Sequence, residues 1–194
     1  MNITEIANNI CENFLKVSEV QSAHIYGSIA NGSFDEYSDI DIELDLSGHD
    51  NGAFLKKAAE ELQKQYPVIF SDYAPSLLPE EYVVSCAISE DNPFLIVDIK
   101  CTANPHVYSL SKKDIRNDKY THILKLWVAN MKHYLRGYDC KNDICRMYQK
   151  IFNELSSSPE NMLIDVFEWL NSNSRDEYRQ YLSSCKTYVE KISR

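Results

Sequence analysis

GSIANGSFDEYSDIDIELDL, residues 27–46, places acids at Asp39, Asp41, Glu43 and Asp45, every second position, shortly after a Gly-Ser pair. With Ile40 and Ile42 between them, the alternation reads as a β-strand with an apolar face toward a core and an acidic face away from it. Carboxylates on one strand face lie roughly 7 Å apart, because a strand rises about 3.3 Å per residue. Like charges held that way repel unless something cationic lies between them.

The elements around this strand follow from the same kind of pattern. Ile3, Ile6, Ala7, Ile10, Phe14 and Val17 recur at helical spacing, with Asn2 and Glu5 as a capping pair, so a helix is expected over 3–17. Ser22 to Tyr26 reads as a short strand, and Gly27 to Gly32 as a turn opening into a short helix. Asp50 is placed to cap a helix whose apolar face is Phe54, Leu55, Ala58, Ala59 and Leu62. Three more β-rich runs follow, PVIFSDY (67–73), YVVSCAI (82–88) and PFLIVDIKC (93–101), separated by Pro75, Pro79 and the turn-like Glu90-Asp91-Asn92-Pro93.

After Pro105 the pattern is helical. A long helix is expected over 112–136, stopped by Gly137, with the stripe Ile123, Leu124, Trp127, Val128, Met131, Tyr134 and Leu135. A second is expected near 142–155, a third from Ser158-Pro159, and a fourth from Ser174 with Asp176 and Glu177 in its first turn. The fold class is therefore α+β. An N-terminal domain, residues 1–110, has a mixed sheet of about five strands flanked by helices, and residues 111–194 form an all-α bundle.

Charge divides along the same line. Residues 1–110 hold 18 acids against 5 lysines, and residues 111–194 hold 11 acids against 15 lysines and arginines, within an overall charge of −9. No arginine precedes Arg116. A long nucleic acid is held mainly by basic side chains on phosphates, so the acidic first half argues against DNA or RNA and suits metal ions or a cationic small molecule. The six cysteines contain no CxxC pair, which removes the zinc-knuckle and redox readings and fits reduced thiols. No basic-then-apolar leader and no 18-residue apolar run is present, so a soluble cytoplasmic protein is expected.

Three separated features carry chemistry. Gly27 and Gly32 bracket a strand-to-helix turn where backbone N–H groups and the Ser28 hydroxyl could approach a phosphate. Asp39 and Asp41 offer oxygens on one strand face, and Mg²⁺ takes one or two carboxylates together with substrate phosphates. Asp98, flanked by Phe94 and Ile96, is a charge in apolar surroundings that needs a cation or a donor. Brought beside Asp39 and Asp41, it would complete a site for two metal ions about 3.5–4 Å apart. Leu44 or Leu46 stands where a helix-loop-helix calcium site needs glycine, which excludes that reading. Glu43 and Asp45 are expected to face solvent, and His24, His49 and His106 lack metal-ligand spacing. Tyr73 or Tyr82 could stack on a base or acceptor, with core packing the plainer role.

In their order, Gly27-Ser28, Asp39-Ile40-Asp41 and the later Asp98 resemble the signature of the nucleotidyltransferase superfamily related to DNA polymerase beta. HIYGSIANGSFDEYSDIDIEL, residues 24–44, looks most like its antibiotic (aminoglycoside or lincosamide type) and minimal nucleotidyltransferase branches. The resemblance covers about residues 20–101. It implies that Gly27 and Ser28 hold the triphosphate of ATP or another nucleoside triphosphate, and that Asp39 and Asp41 bind two Mg²⁺ ions. It further implies that Asp98 binds the catalytic ion and helps deprotonate an acceptor hydroxyl, with release of pyrophosphate. No motif carries the phosphate contacts of the second half. Lys125 and Lys132, on the polar side of the long helix with His122 and Arg136, are candidate nucleotide-binding cations because the first half has few of its own.

The reaction expected is transfer of a nucleoside monophosphate, AMP from ATP, to a hydroxyl of a small, amine-rich acceptor such as an aminoglycoside or a lincosamide-like antibiotic. Two alternatives stay open: modification of a protein hydroxyl, as in minimal nucleotidyltransferases of antitoxin type, and an inactive nucleotide-binding scaffold. The oligomeric state is open too, a cleft-completing homodimer included.

Overall fold

The computed structural model describes residues 2–74, 78, 80–106, 108–153 and 158–193, which divide into two compact units. The first comprises residues 1–88 and 95–117, the second residues 89–94 and 118–194. Among the described residues no helix is long and apolar enough to cross a membrane.

In the first unit, α1 (Ile3–Phe14) starts on the expected reciprocal cap: Thr4 N donates to Asn2 Oδ1 at 3.2 Å, and Asn2 N donates to Glu5 Oε2 at 3.0 Å. It ends at Phe14, earlier than the apolar spacing suggests, because Lys16 N and Val17 N turn back onto Asn13 O and Phe14 O. The chain then forms β1 (Ser22–Tyr26), the single-turn α2 (Gly27–Ala30), β2 (Ile40–Asp45) and α3 (Asn51–Gln63), the last capped by Asp50 accepting from Ala53 N at 2.7 Å. Strands β3 (Phe70–Ala74), β4 (Tyr82–Ala87) and β5 (Ile96–Thr102) complete a sheet of order β1-β2-β5-β4-β3. The expected breaks at Pro75 and Pro79 lie outside the described residues.

The sheet is mixed, as expected: β2 and β5 run parallel, and the other pairs are antiparallel. Parity then decides the two faces. Ile40, Ile42 and Leu44 of β2, Val97, Ile99 and Cys101 of β5, and Tyr82, Val84 and Cys86 of β4 join Ile10, Phe14, Phe54 and Leu62 in one buried core with α1 and α3. Burial in that core pushes the Cys86 thiol up to about 12, with the Asp98 charge adding to the effect. All described cysteines are free. Tyr73 and Tyr82, 9% and 1% exposed, belong to this core, so neither is placed to stack on a ligand at the acidic face.

The second unit contains α4 (Lys119–Leu135), α5 (Lys141–Tyr148), α6 (Pro159–Ser172) and α7 (Arg179–Ile192). Trp127 is fully buried and donates from Nε1 to Leu163 O at 2.9 Å, which joins α4 to α6 through a hydrogen bond inside an apolar contact. The segment 89–94 is held on α7: Tyr181 Oη donates to Pro93 O, Ser184 Oγ donates to Glu90 O, both at 2.7 Å, and Phe94 packs edge-on against Tyr188. Ser158 caps α6 as expected, accepting from Asn161 N.

Besides the end of α1, three helix boundaries differ from the sequence reading. Lys112–Asp114 is a separate 3-10 turn and α4 begins only at Lys119, capped by Asp118. The cause lies in Asn117, whose Oδ1 accepts from Tyr73 N at 2.8 Å and whose Nδ2 donates to Tyr73 O at 2.9 Å. One side chain thus satisfies both backbone groups of a residue on the edge strand β3, and the chain around it stays extended. α5 ends at Tyr148, and the expected end near 155 falls outside the described residues. Asp176–Tyr178 is a 3-10 turn, so α7 starts at Arg179 and not at Ser174.

Candidate active site

The face of the sheet opposite the α1/α3 core carries the polar side chains. Across all five strands one row is in register: Tyr26 on β1, Asp41 on β2, Asp98 on β5, Ser85 on β4 and Asp72 on β3. Asp39 stands one residue before β2, on the same parity as Asp41. Its approach is fixed by a tight turn in which Ser38 Oγ donates to Asp35 Oδ1 at 2.9 Å while accepting from Asp35 N, and Tyr37 N donates to Asp35 Oδ1 at 3.0 Å.

Asp39, Asp41 and Asp98 converge. One carboxylate oxygen from each lies within 4.8 Å of the others, and this is the only such cluster of three or more acids, histidines or cysteines among the described residues. All three are half-buried. Three hard oxygen donors at that separation are a donor set for Mg²⁺ or Mn²⁺ and not for a soft metal.

A second observation fits the same ion. Gly27 takes φ +67°, the left-handed region that favours glycine, and a Cβ there would lie 2.1 Å from Asp41 Oδ2. The turn after β1 is therefore seated directly against one of the clustered carboxylates, with Ser28 next in α2. Tyr26 closes this side: burial, and then the charges of Asp41, Asp98, Glu43 and Glu81, push its phenol well above the ordinary tyrosine range. It stays neutral beside the acids.

One step along the strands lies a pattern that the sequence reading missed. Lys100, in register with Glu43, sits 2.8 Å from Glu43 Oε2 and 3.8 Å from Glu81 Oε1, with its ammonium 4.7 Å above the Tyr26 ring. Glu43 is thus paired and not simply turned to solvent, and Asp45 accepts from Ser47 N and Oγ at 2.8 and 2.6 Å. The signal was present: Lys100 follows Asp98 by two, so strand parity puts it on the acidic face. Beyond Lys100 the same face opens into a cleft of about 690 Å³ lined by Glu43, Asp45, Glu80, His24 and His106, among others, with no lysine or arginine among the described residues of its wall.

Lys125 and Lys132 belong to α4 in the second unit, where Lys132 is 8% exposed and Lys125 half-buried. His49 lies outside the carboxylate cluster.

The model of the nucleotidyltransferase domain family matches residues 3–100, half of the chain and the whole of the sheet up to Lys100. The chain belongs to the nucleotidyltransferase domain family. Two solved structures are similar to the chain at low identity. One is described as the polymerase core of TRAMP, a RNA surveillance complex, at 14% identity and TM-score 0.43, over 90% of this chain and 62% of that one. The other is the GLD-2/RNP-8 complex, at 15% identity and TM-score 0.40, over 96% of this chain and 60% of that one. The chain thus spans about three fifths of the length of these structures. No curated protein matched its sequence.

Proposed function

We propose that the protein transfers a nucleoside monophosphate, AMP from ATP, to a hydroxyl of a small cationic acceptor. The observation that carries this reading is the convergence of Asp39, Asp41 and Asp98 within 4.8 Å, with Gly27 seated against Asp41. Asp39 and Asp41 would hold two Mg²⁺ ions, and Asp98 would hold the catalytic one. Bound there, divalent ions supply charge stabilisation for the oxygens of an in-line displacement at phosphorus.

The remaining work falls to the chain. Backbone N–H groups from Gly27 onward and the Ser28 hydroxyl hold the triphosphate, and Lys125 and Lys132 stay the candidate nucleotide-binding cations of α4. The acceptor oxygen forms a bond to the α-phosphorus as the bond to the pyrophosphate oxygen breaks, and Asp98 takes the proton of the acceptor hydroxyl. Tyr26, kept neutral, adds no further negative charge to the three carboxylates.

The acceptor reading rests on charge. Among the described residues, the cleft beside Lys100 carries Glu43, Asp45 and Glu80 and no lysine or arginine in its wall, a surface that favours a polyamine or aminoglycoside-like antibiotic and disfavours a long nucleic acid.

Calorimetric titration with nonhydrolysable ATP and GTP analogues, with and without Mg²⁺, tests the site. Metal-dependent binding of the ATP analogue that disappears in Asp39→Asn/Asp41→Asn is expected. Pyrophosphate release is then followed over a panel of aminoglycosides, lincosamides and an oligoribonucleotide. Release driven by the oligoribonucleotide alone would overturn the acceptor, and nucleotide binding indifferent to metal and to the double substitution would overturn the site.

A further inference from the structure

Ser85, like Asp72, is a member of the polar row that the proposed chemistry leaves without a task. It is 0% exposed, and its Oγ has no hydrogen-bond partner. Its register neighbours are two carboxylates, Asp98 on β5 and Asp72 on β3, the latter 1% exposed. Directly opposed residues in adjacent antiparallel strands have Cα atoms about 4.5–5.5 Å apart, so both acids are within reach of a short side chain.

A buried hydroxyl left unsatisfied is destabilising, whereas alanine would fill the same space in the strand without that cost. A serine there makes physical sense if its hydroxyl serves to orient a neighbouring carboxylate that ligates a cation. Asp98 is that carboxylate. When one of its oxygens turns to a cation, the other must be oriented, and Ser85 Oγ can swing among its staggered χ1 positions to meet it.

We infer that Ser85 is a positioning residue for the candidate metal site, donating its hydroxyl to Asp98 when a divalent ion is bound. The inference rests on the proposed role of Asp98 as a metal ligand and adds to it the group that aims that ligand. Partners of this kind behind ligating carboxylates fix the carboxylate in its ligating orientation, and their removal typically costs 10- to 100-fold in metal affinity. The direction on stability is opposite to that of an ordinary structural serine: Ser85→Ala removes an unsatisfied hydroxyl and should leave the metal-free protein as stable or more so.

The test measures Mn²⁺ binding to the whole chain, with no nucleotide present, from the loss of the free-ion electron paramagnetic resonance signal, together with thermal unfolding of the metal-free protein. Ser85→Ala should bind Mn²⁺ about tenfold more weakly with an unchanged or higher metal-free midpoint. Ser85→Thr, which keeps the hydroxyl on a β-branched frame suited to a strand, should stay within about threefold of the parent. Asp98→Ala separates the two levels of the argument. If it abolishes Mn²⁺ binding while Ser85→Ala binds like the parent, the positioning role is wrong and the metal site stands. If the parent and Asp98→Ala bind alike, the metal site itself falls and the role of Ser85 with it. A metal-free midpoint lowered by several degrees in Ser85→Ala would show a structural brace and overturn the inference as well. Should the extra methyl of threonine lower the midpoint, the Ser85→Ala comparison decides alone.

Discussion

Gly27 and Asp41 stand closer than any side chain at position 27 would allow, because a Cβ there would lie 2.1 Å from Asp41 Oδ2. The backbone conformation, φ +67°, excludes most residues independently. Gly27→Ala therefore meets two separate penalties. The conformational one is about 1–2 kcal/mol of stability. The steric one falls on the Asp41 carboxylate and should cost at least tenfold in Mg²⁺-dependent nucleotide binding, on the scale of other changes that displace a metal ligand. Gly137 provides the control, with φ +74° and nothing within 4 Å of its added Cβ. Gly137→Ala should lose similar stability in a urea titration and leave nucleotide binding untouched.

Asn51 ties the start of α3 to β5 and to Glu80, a residue of the cleft wall. It is fully buried, and its Nδ2 donates to Glu80 O at 2.6 Å and to Cys101 O at 3.1 Å. Asn51→Ala leaves two carbonyls without a donor and should destabilise by about 2–3 kcal/mol. Asn51→Asp keeps the shape but turns a carboxylate oxygen toward those carbonyls, so at neutral pH it should destabilise more than alanine does. An aspartate variant more stable than the alanine variant in urea denaturation at pH 7 would show that shape, and not the donor, matters at this position.

How far the site could be read in advance depended on whether local parity or non-local register decided it. The alternation from Asp39 to Asp45 fixes both a strand and its acidic face, since a period of two has no helical counterpart. Asp98 was visible because a carboxylate in an apolar run needs a partner. That β5 lies between β2 and β4 is a long-range pairing that no local pattern contains. The place of Ser85 depends on that pairing: in YVVSCAI it is one small residue among apolar ones, and only the register brings it beside Asp98. The late start of α4 has the same origin, since the Asn117 side chain is committed to Tyr73, 44 residues earlier. Lys100 is legible by parity, since it follows Asp98 by two on one strand, but its pairing with Glu43 and Glu81 depends on the register of β5 with β2 and β4.

Acid should weaken the protein through Glu19 in a definite window. Lys57 Nζ donates to Glu19 Oε1 at 2.5 Å and Ser18 Oγ to Oε2 at 2.7 Å, and these two donors hold the Glu19 carboxyl down at about 2, against an ordinary 4.5. A depressed folded value means that the pair stabilises fully above pH 4.5 and loses its contribution as the pH falls toward 2. Both side chains are about a third exposed, so screening limits the effect to about 0.5–1 kcal/mol. Glu19→Gln should be less stable than the parent by that amount at pH 7, and the two should converge when urea unfolding is repeated near pH 2.

Lys100 supplies a cation on this face, between the clustered carboxylates and the cleft. With its side chain 18% exposed and two glutamates within 4 Å, it is held more tightly than a surface pair, and Glu43 and Glu81 depend on it. Lys100→Met leaves both carboxylates with their mutual repulsion and should destabilise the metal-free protein by about 1–3 kcal/mol. Neutralising one of them should return part of this, so Lys100→Met/Glu43→Gln should be more stable than Lys100→Met alone, with a coupling energy of about 1 kcal/mol in the double-mutant cycle. The same loss of positive charge should also strengthen Mn²⁺ binding at Asp39, Asp41 and Asp98, because a cation next to the cluster competes electrostatically with the ion. Lower stability and tighter metal binding together are the signature of a lysine that shields the acidic face. Weaker Mn²⁺ binding in Lys100→Met would instead mean that Lys100 helps hold the carboxylates in place.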